Sequence, residues 1–154
     1  VIDIDAHHGN GTQQIFYERP DVVYTSVHID PGHGWYPHWS GFSDEVGAGP
    51  GQGFNHNITL DPGDGDAEVF AAVEQMAALV TGIGCEAVVV SLGLDMATAD
   101  ENSPLAVTGD GFGRVGALLA SMGLPTVLVQ EGGYDLVSLE TDLRAMLTGF
   151  ASAE

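Results

Sequence analysis

A mostly parallel α/β sheet, three layers deep with helices on both faces, is the fold this sequence predicts. Three observations carry the prediction. Short β-branched or apolar runs alternate with segments of helical periodicity, as in consecutive βαβ units. One run, Ala87–Leu92 (AVVVSL), is apolar almost throughout, as expected of a strand buried on both faces. Asp5 with His7, then Asp95, then Tyr134 each follow such a run, where the carboxyl ends of parallel strands converge on one crevice.

Val1–Asp5 reads as the first strand. Gly11–Glu18 reads as a short helix closed by Pro20, because proline cannot continue a helix. Asp21–His28 (DVVYTSVH) is β-branched and aromatic, hence a strand. Ile29–Gly53 carries seven Gly, three Pro, both Trp and two His, and is predicted to be a loop. A loop of that length in a compact domain usually has a function. Asn55–Leu60 is a short strand, and Asp61–Asp66 is a turn. That turn is Asp-rich like a calcium loop, but Ala72 stands where the bidentate Glu is needed, so it reads as turn plus helix cap. The helix that follows aligns Val69, Val73, Met76 and Val80 and stops at Gly82-Ile83-Gly84. After the Ala87–Leu92 strand, Thr108 reads as the N-cap of a helix with Phe112, Val115, Leu119 and Met122 on one face. Gly123-Leu124-Pro125 ends it, Thr126–Gln130 is the next strand, and a last helix from about Leu136 to Phe150 aligns Leu139, Leu143 and Leu147.

The 154 residues are enough for one domain around a single core. The chain begins at Val1, directly in an apolar strand and without an initiator Met, which reads as an excised piece. No run approaches the ~18 apolar residues of a membrane span, and no signal peptide is visible. No membrane partner and a cytoplasmic location are therefore the expectations. Cys85 has no second cysteine to pair with and reads as a small buried residue. There are 22 acidic residues against three basic ones (Arg19, Arg114, Arg144), for a net charge of −19. That balance argues against nucleic-acid binding, which needs a basic footprint. It suits cationic ligands, but the acids are spread along the chain, which favours adaptation of the whole surface to a saline setting.

Asp3, Asp5 and His7 alternate along the first strand and its exit, so they share one face. An isolated Asp-x-His means little. Two acids within an apolar strand mean more, because an unpaired buried carboxylate is expensive and a cation offsets that cost. Asp95, at the end of another buried strand, would complete an Asp2His site with open positions, the equipment for metal-assisted amide hydrolysis. Gly132-Gly133 suggests that Tyr134 stands on an exposed turn rather than in the core, as a donor to a developing oxyanion. His33, His38 and His56 have no partner visible in the sequence.

Asp3-Ile4-Asp5-Ala6-His7-His8-Gly9-Asn10-Gly11-Thr12, Ser26-Val27-His28, Gly93-Leu94-Asp95 with Asp100, and Glu131-Gly132-Gly133-Tyr134 occur in that order. On these segments the chain resembles the C-terminal half of the histone deacetylase/acetylpolyamine amidohydrolase superfamily, within the arginase–deacetylase fold. The resemblance implies that residues 1–154 are the C-terminal portion of a single deacetylase domain, truncated at its N-terminus. It implies Asp5, His7 and Asp95 as ligands of one catalytic Zn2+, and Tyr134 as the tyrosine that polarises the substrate carbonyl. It implies a K+ site at Asp3, Asp5, His7, Ser26 and the Val27 carbonyl, and an outer one at the carbonyls of Phe16, Arg19, Val22 and Phe54. Trp35, Tyr36, Gly132 and Gly133 would line the channel for an acetylated amine, acetyl-lysine or acetylpolyamine. Trp35 and Tyr36 have packing of the loop onto the body as their alternative role.

Arginases share this fold and hold two manganese ions, but here Gly9 and Gly93 replace two of the bridging acids, so a single ion is expected. The superfamily also has a His-His pair upstream that acts as general base and acid. The one adjacent pair here is His7-His8, and His7 belongs to the metal site. The expectation is an amidohydrolase that is inactive as this piece. A non-catalytic metal-binding remnant or assembly partner is the alternative.

Overall fold

Five strands and four helices follow one another as β1 (Ile2–Asp3), α1 (Asn10–Phe16), β2 (Tyr24–Ile29), β3 (Asn55–Leu60), α2 (Asp66–Ile83), β4 (Val88–Leu92), α3 (Gly109–Ser121), β5 (Thr126–Gln130) and α4 (Leu139–Ala151). They come from a computed structural model that describes residues 1–152. Ala153 and Glu154, the end of the expected 1–154 segment, lie outside the described residues. All strand pairs are parallel, in the order β3-β2-β1-β4-β5. The predicted α/β parallel sheet is therefore present. No described helix is long and apolar enough to cross a membrane.

Handedness distributes the layers. The chain steps outward from β1 to β2 to β3, then returns past β1 to β4 and β5. Right-handed crossovers put connections that run in opposite directions on opposite faces. One face carries Ile2, Val88, Val90 and Leu92. There Val69, Val73, Met76 and Val80 of α2 and Phe112, Val115 and Leu119 of α3 join them in one core. The register places Asp3 beside Ser26 and Ser91 on the other face. Over β2 and β3 that face is covered by α1, whose Gln13 accepts from Asn55 and Asn57, and by the long loop.

Over β4 and β5 the second face is open: Val89, Val127 and Val129 are exposed. This corrects the expectation that the β4 run is buried on both faces. Its two crossover helices, α2 and α3, lie on the same side, and no described residue reaches the other. The last helix differs too. Leu147 is exposed, and Met146 with Asp142 forms the buried stripe, because α4 packs along α3 rather than on the sheet.

Strand β1 is shorter than Val1–Asp5. The carboxylates of Asp3 and Asp5 accept the N–H groups of Asp5 (3.2 Å) and His7 (2.8 Å), so turns replace the ladder there. Helix α2 stops at Gly84 with φ +86°, a conformation that favours glycine. Thr108 does cap α3, accepting from Gly111 N–H. The long loop contains only two short 3-10 turns, Pro31–His33 and Gly49–Gly51, among the described residues. It closes over the sheet at Gly41 (φ +101°), where a Cβ would lie 2.7 Å from the His8 ring.

Candidate metal centre

The connection reverses direction between β1 and β4, and such switch points open a crevice at the carboxyl ends of the strands. Three strand exits deliver their side chains there. From β1, the turns at Asp3 and Asp5 bend the chain so that Asp5 and His7 both look into the crevice. From β4, Gly93 passes against Asp5, where a Cβ would lie 2.5 Å from Asp5 Oδ2, and delivers Asp95. From β5, Gly132 N–H donates to Asp5 Oδ2 at 3.0 Å. Asp95 Oδ1 accepts from Ala6 N–H at 2.9 Å, and its Oδ2 faces His7 Nδ1 at 2.9 Å. One ligand atom from each of Asp5, His7 and Asp95 lies within 4.8 Å of the others, close enough to hold one ion.

The residues present fit a divalent metal. His7 turns Nδ1 to both carboxylates, and its Nε2 meets the Asn102 carbonyl at 3.1 Å, the backbone partner that fixes tautomer and ring in metal-ligating histidines. A Cβ at Gly132 would sit 2.5 Å from Asp5 Oδ2 and 2.6 Å from Asp95 Oδ2, so glycine keeps the space between the carboxylates open. Without a metal the two carboxylates push the His7 imidazole up to about 10, so its proton is the local cation. Burial raises Asp95, whereas hydrogen bonds from His7 and Gly132 hold Asp5 below the usual carboxylate range. A dication in the same place would replace the His7 proton.

Asp3 lies behind the cluster. Burial pushes its carboxyl up to about 7, although Tyr24 Oη–H donates to it at 2.9 Å. Ser26, on the neighbouring strand, meets His28 Nδ1 at 2.7 Å, and His28 Nε2 meets the Gly41 carbonyl at 2.8 Å. Burial lowers His28 to about 4, so the ring is neutral. With Nε2–H donating to the carbonyl, Nδ1 is the acceptor, and the Ser26 proton is committed to it. What Ser26 offers a further neighbour is a lone pair. The His8 ring lies tilted against His28, centroids 4.7 Å apart, and burial together with His28 lowers it to about 3.

A pocket of about 260 Å³ collects Asp3, Asp5, His7, Tyr36, Glu131 and Tyr134. Tyr134 is largely exposed there. Partial burial and the nearby charges of Asp95, Asp5 and Asp100 raise its phenol, so it is a proton donor at neutral pH. Its turn is held by Asp100, whose Oδ2 accepts from Tyr134 N–H at 2.6 Å and Asp135 N–H at 3.1 Å.

Of the expected channel residues, Tyr36 lines this pocket, edge-on to His7 at 6.3 Å. Trp35 does not; it is half-buried against the hydrophobic core, the packing role. Gly132 and Gly133 (φ +138°) form the turn before Tyr134. Phe16, Val22 and Phe54 converge on a separate cleft of about 500 Å³. The carbonyls of Phe16 and Phe54 each already accept one backbone hydrogen bond, and the Arg19 side chain pairs with Asp21. His33 meets Asp61 at 2.9 Å, a partner its sequence neighbourhood did not reveal. Tyr24 and Asn102 were likewise not singled out from sequence, because each acts through a contact between distant segments.

This chain belongs to the histone deacetylase family: the model of the histone deacetylase domain matches residues 1–150. It is 46% identical over 152 residues to acetylpolyamine amidohydrolase of Burkholderia pseudomallei, covering 99% of this chain and 44% of that protein. It is 40% identical over 148 residues to human histone deacetylase 7, covering 90% of this chain and 15% of that protein. A crystal structure of the Burkholderia pseudomallei acetylpolyamine aminohydrolase superposes with a TM-score of 0.95 at 45% identity, covering 99% of this chain and 44% of that one. The chain thus spans less than half the length of these relatives.

Proposed function

We propose that this chain is the metal-centre portion of a zinc-dependent deacetylase that hydrolyses N-acetyl amides, acetyl-lysine or acetylpolyamine, to acetate and free amine. The observation that carries the reading is the Asp5–His7–Asp95 cluster at the switch point, its ligand atoms within 4.8 Å of one another and Tyr134 on the same pocket. Asp5, His7 and Asp95 would hold the zinc, which when bound supplies Lewis acidity and lowers the pKa of water toward ~7. Tyr134 keeps its proton at neutral pH and donates it in a hydrogen bond to the acyl oxygen as negative charge develops there. Tyr36 offers a flat apolar wall to the alkyl stem of the substrate.

Asp3, Asp5, His7, Ser26 and Val27 would hold K+ behind the zinc. The Ser26 lone pair and the buried Asp3 carboxyl support that assignment. The outer K+ site at Phe16, Arg19, Val22 and Phe54 rests on the resemblance and on the cleft that three of these residues share. The family's general-base His pair is not among these 154 residues. The alternative is a non-catalytic metal-binding remnant or assembly partner of the deacetylase fold.

An assay of the full-length protein on an acetyl-lysine peptide and an acetylated polyamine, with and without a chelator, tests the proposal. Hydrolysis that stops on chelation and returns with zinc is the expected result. Hydrolysis indifferent to chelation contradicts it. The 154-residue chain alone should fall ~10²–10⁴-fold short for want of a general base.

A further inference from the structure

Tyr134 is a long lever on an exposed turn. The residue is 59% exposed, and its hydroxyl has no hydrogen-bond partner among the described residues. Contacts of the side chain therefore do not aim it; its backbone does. On the upstream side, Gly132 is held at both ends, with its carbonyl on Leu94 N–H (2.9 Å) and its N–H on Asp5 Oδ2 (3.0 Å). Then comes Gly133 at φ +138°, a hinge that glycine alone enters readily. Past that hinge the first fixed point is Asp100.

Asp100 is 4% exposed and carries four N–H donors on one carboxylate. Oδ2 takes the amides of Tyr134 (2.6 Å) and Asp135 (3.1 Å). Oδ1 takes the amide and side-chain N–H of Asn102, both at 2.9 Å. Asn102 in turn offers its carbonyl to His7 Nε2. Asp100 also lies five residues after Asp95 on the same loop. One carboxylate thus ties the turn that bears the phenol to the loop that begins with one metal-ligand candidate and buttresses another. A tie needed for folding alone is met by neutral backbone pairs. An ionised group brought this far from water is expensive unless fully bonded, and here its bonds end on the residue whose position matters.

We infer that Asp100 is a positioning residue for Tyr134: its carboxylate fixes where the phenol stands relative to the Asp5–His7–Asp95 cluster. The inference rests on the proposed role of Tyr134. Asp100→Asn keeps size and shape but turns an amide NH2 toward one pair of donors, which opens one side of the clamp.

The test is nuclear magnetic resonance of the chain, labelled at tyrosine and loaded with Co2+, with Tyr134→Phe assigning the ring signals. In the wild type the Tyr134 amide should exchange slowly, and the ring should show a large cobalt-induced shift. In Asp100→Asn the amide should exchange about 10- to 100-fold faster, as for loss of a hydrogen bond to a charged group. The cobalt-induced shift should shrink and broaden while Co2+ is still bound. In the full-length protein the same variant should lose up to about 10²-fold in kcat, the scale of a small misplacement, with little change in KM.

An unchanged amide rate or ring shift overturns the inference. So does equal loss of melting temperature, metal uptake and kcat together, which is a structural role. If Asp100→Asn does not fold, the wild type decides: a protected Tyr134 amide supports the clamp and an unprotected one overturns it. A wild-type chain that takes up no Co2+ overturns the metal reading instead, and the amide rates still decide the clamp.

Discussion

At the scale of single residues, two protons bear on the proposed metal centre. The first is on Tyr134 and has to stay. Tyr134→Phe in the full-length protein keeps the ring and deletes the donor, so kcat should fall ~10²–10³-fold while zinc content stays constant. A variant with full kcat and less metal would make Tyr134 structural. The second proton is on His7 and has to leave. The folded metal-free protein raises this imidazole from 6.5 to about 10, so its stabilising contribution is complete below about 6.5 and is lost as pH rises through about 10. Thermal melts in chelator should therefore fall between pH 6.5 and 10 by more than melts with zinc, in which the ligand nitrogen carries no proton; parallel curves would contradict this. Asp5, His7, Asp95 and Tyr134 were legible because each follows an apolar run at a spacing that points to strand ends. Tyr24 on Asp3, 21 residues away, was not. Nor does sequence say which of two adjacent aromatics, Trp35 or Tyr36, turns inward; loop closure decides that.

Among the elements, the apolar periodicities of α2 and α3 located both helices, whereas the tie between them was hidden. Asp66, in the first turn of α2, accepts Thr108 N–H and Oγ1–H, both at 2.7 Å, while Thr108 caps α3. A Cβ at Gly111 would collide with Asp66, so the α3 N-terminus is built around this carboxylate. Asp66→Ala should cost about 1–2 kcal/mol of stability in urea unfolding, with faster amide exchange confined to the first turn of α3. A loss below about 0.3 kcal/mol would show that water replaces the carboxylate. The bounds of β3 and β5 were legible, whereas those of β1 were not. β1 ends early because its own acids bond the backbone, a competition that alternation of residue types does not reveal. The open side of β4 was misread because an apolar run reports an average preference, while crossover handedness decides which face is covered.

Across the whole molecule, the parallel sheet could be read from alternating segments, and its order follows from the placement of the crossovers. Val89, Val127 and Val129 stay exposed because no described residue crosses to that side of β4 and β5. The chain also spans only 44% of its bacterial relative's length. The net charge of −19 surrounds a centre that itself gathers three acids, Asp3, Asp5 and Asp95, and a cation there relieves repulsion both local and global. The proposed function depends on that cation. Zinc content of the purified chain, measured beside Asp95→Ala after dialysis against buffered zinc, tests it most directly. One zinc per wild-type chain and a near-complete loss in Asp95→Ala, with the helical signal intact, is the expected result. Zinc-free wild-type protein, or the same stoichiometry in both, would contradict it.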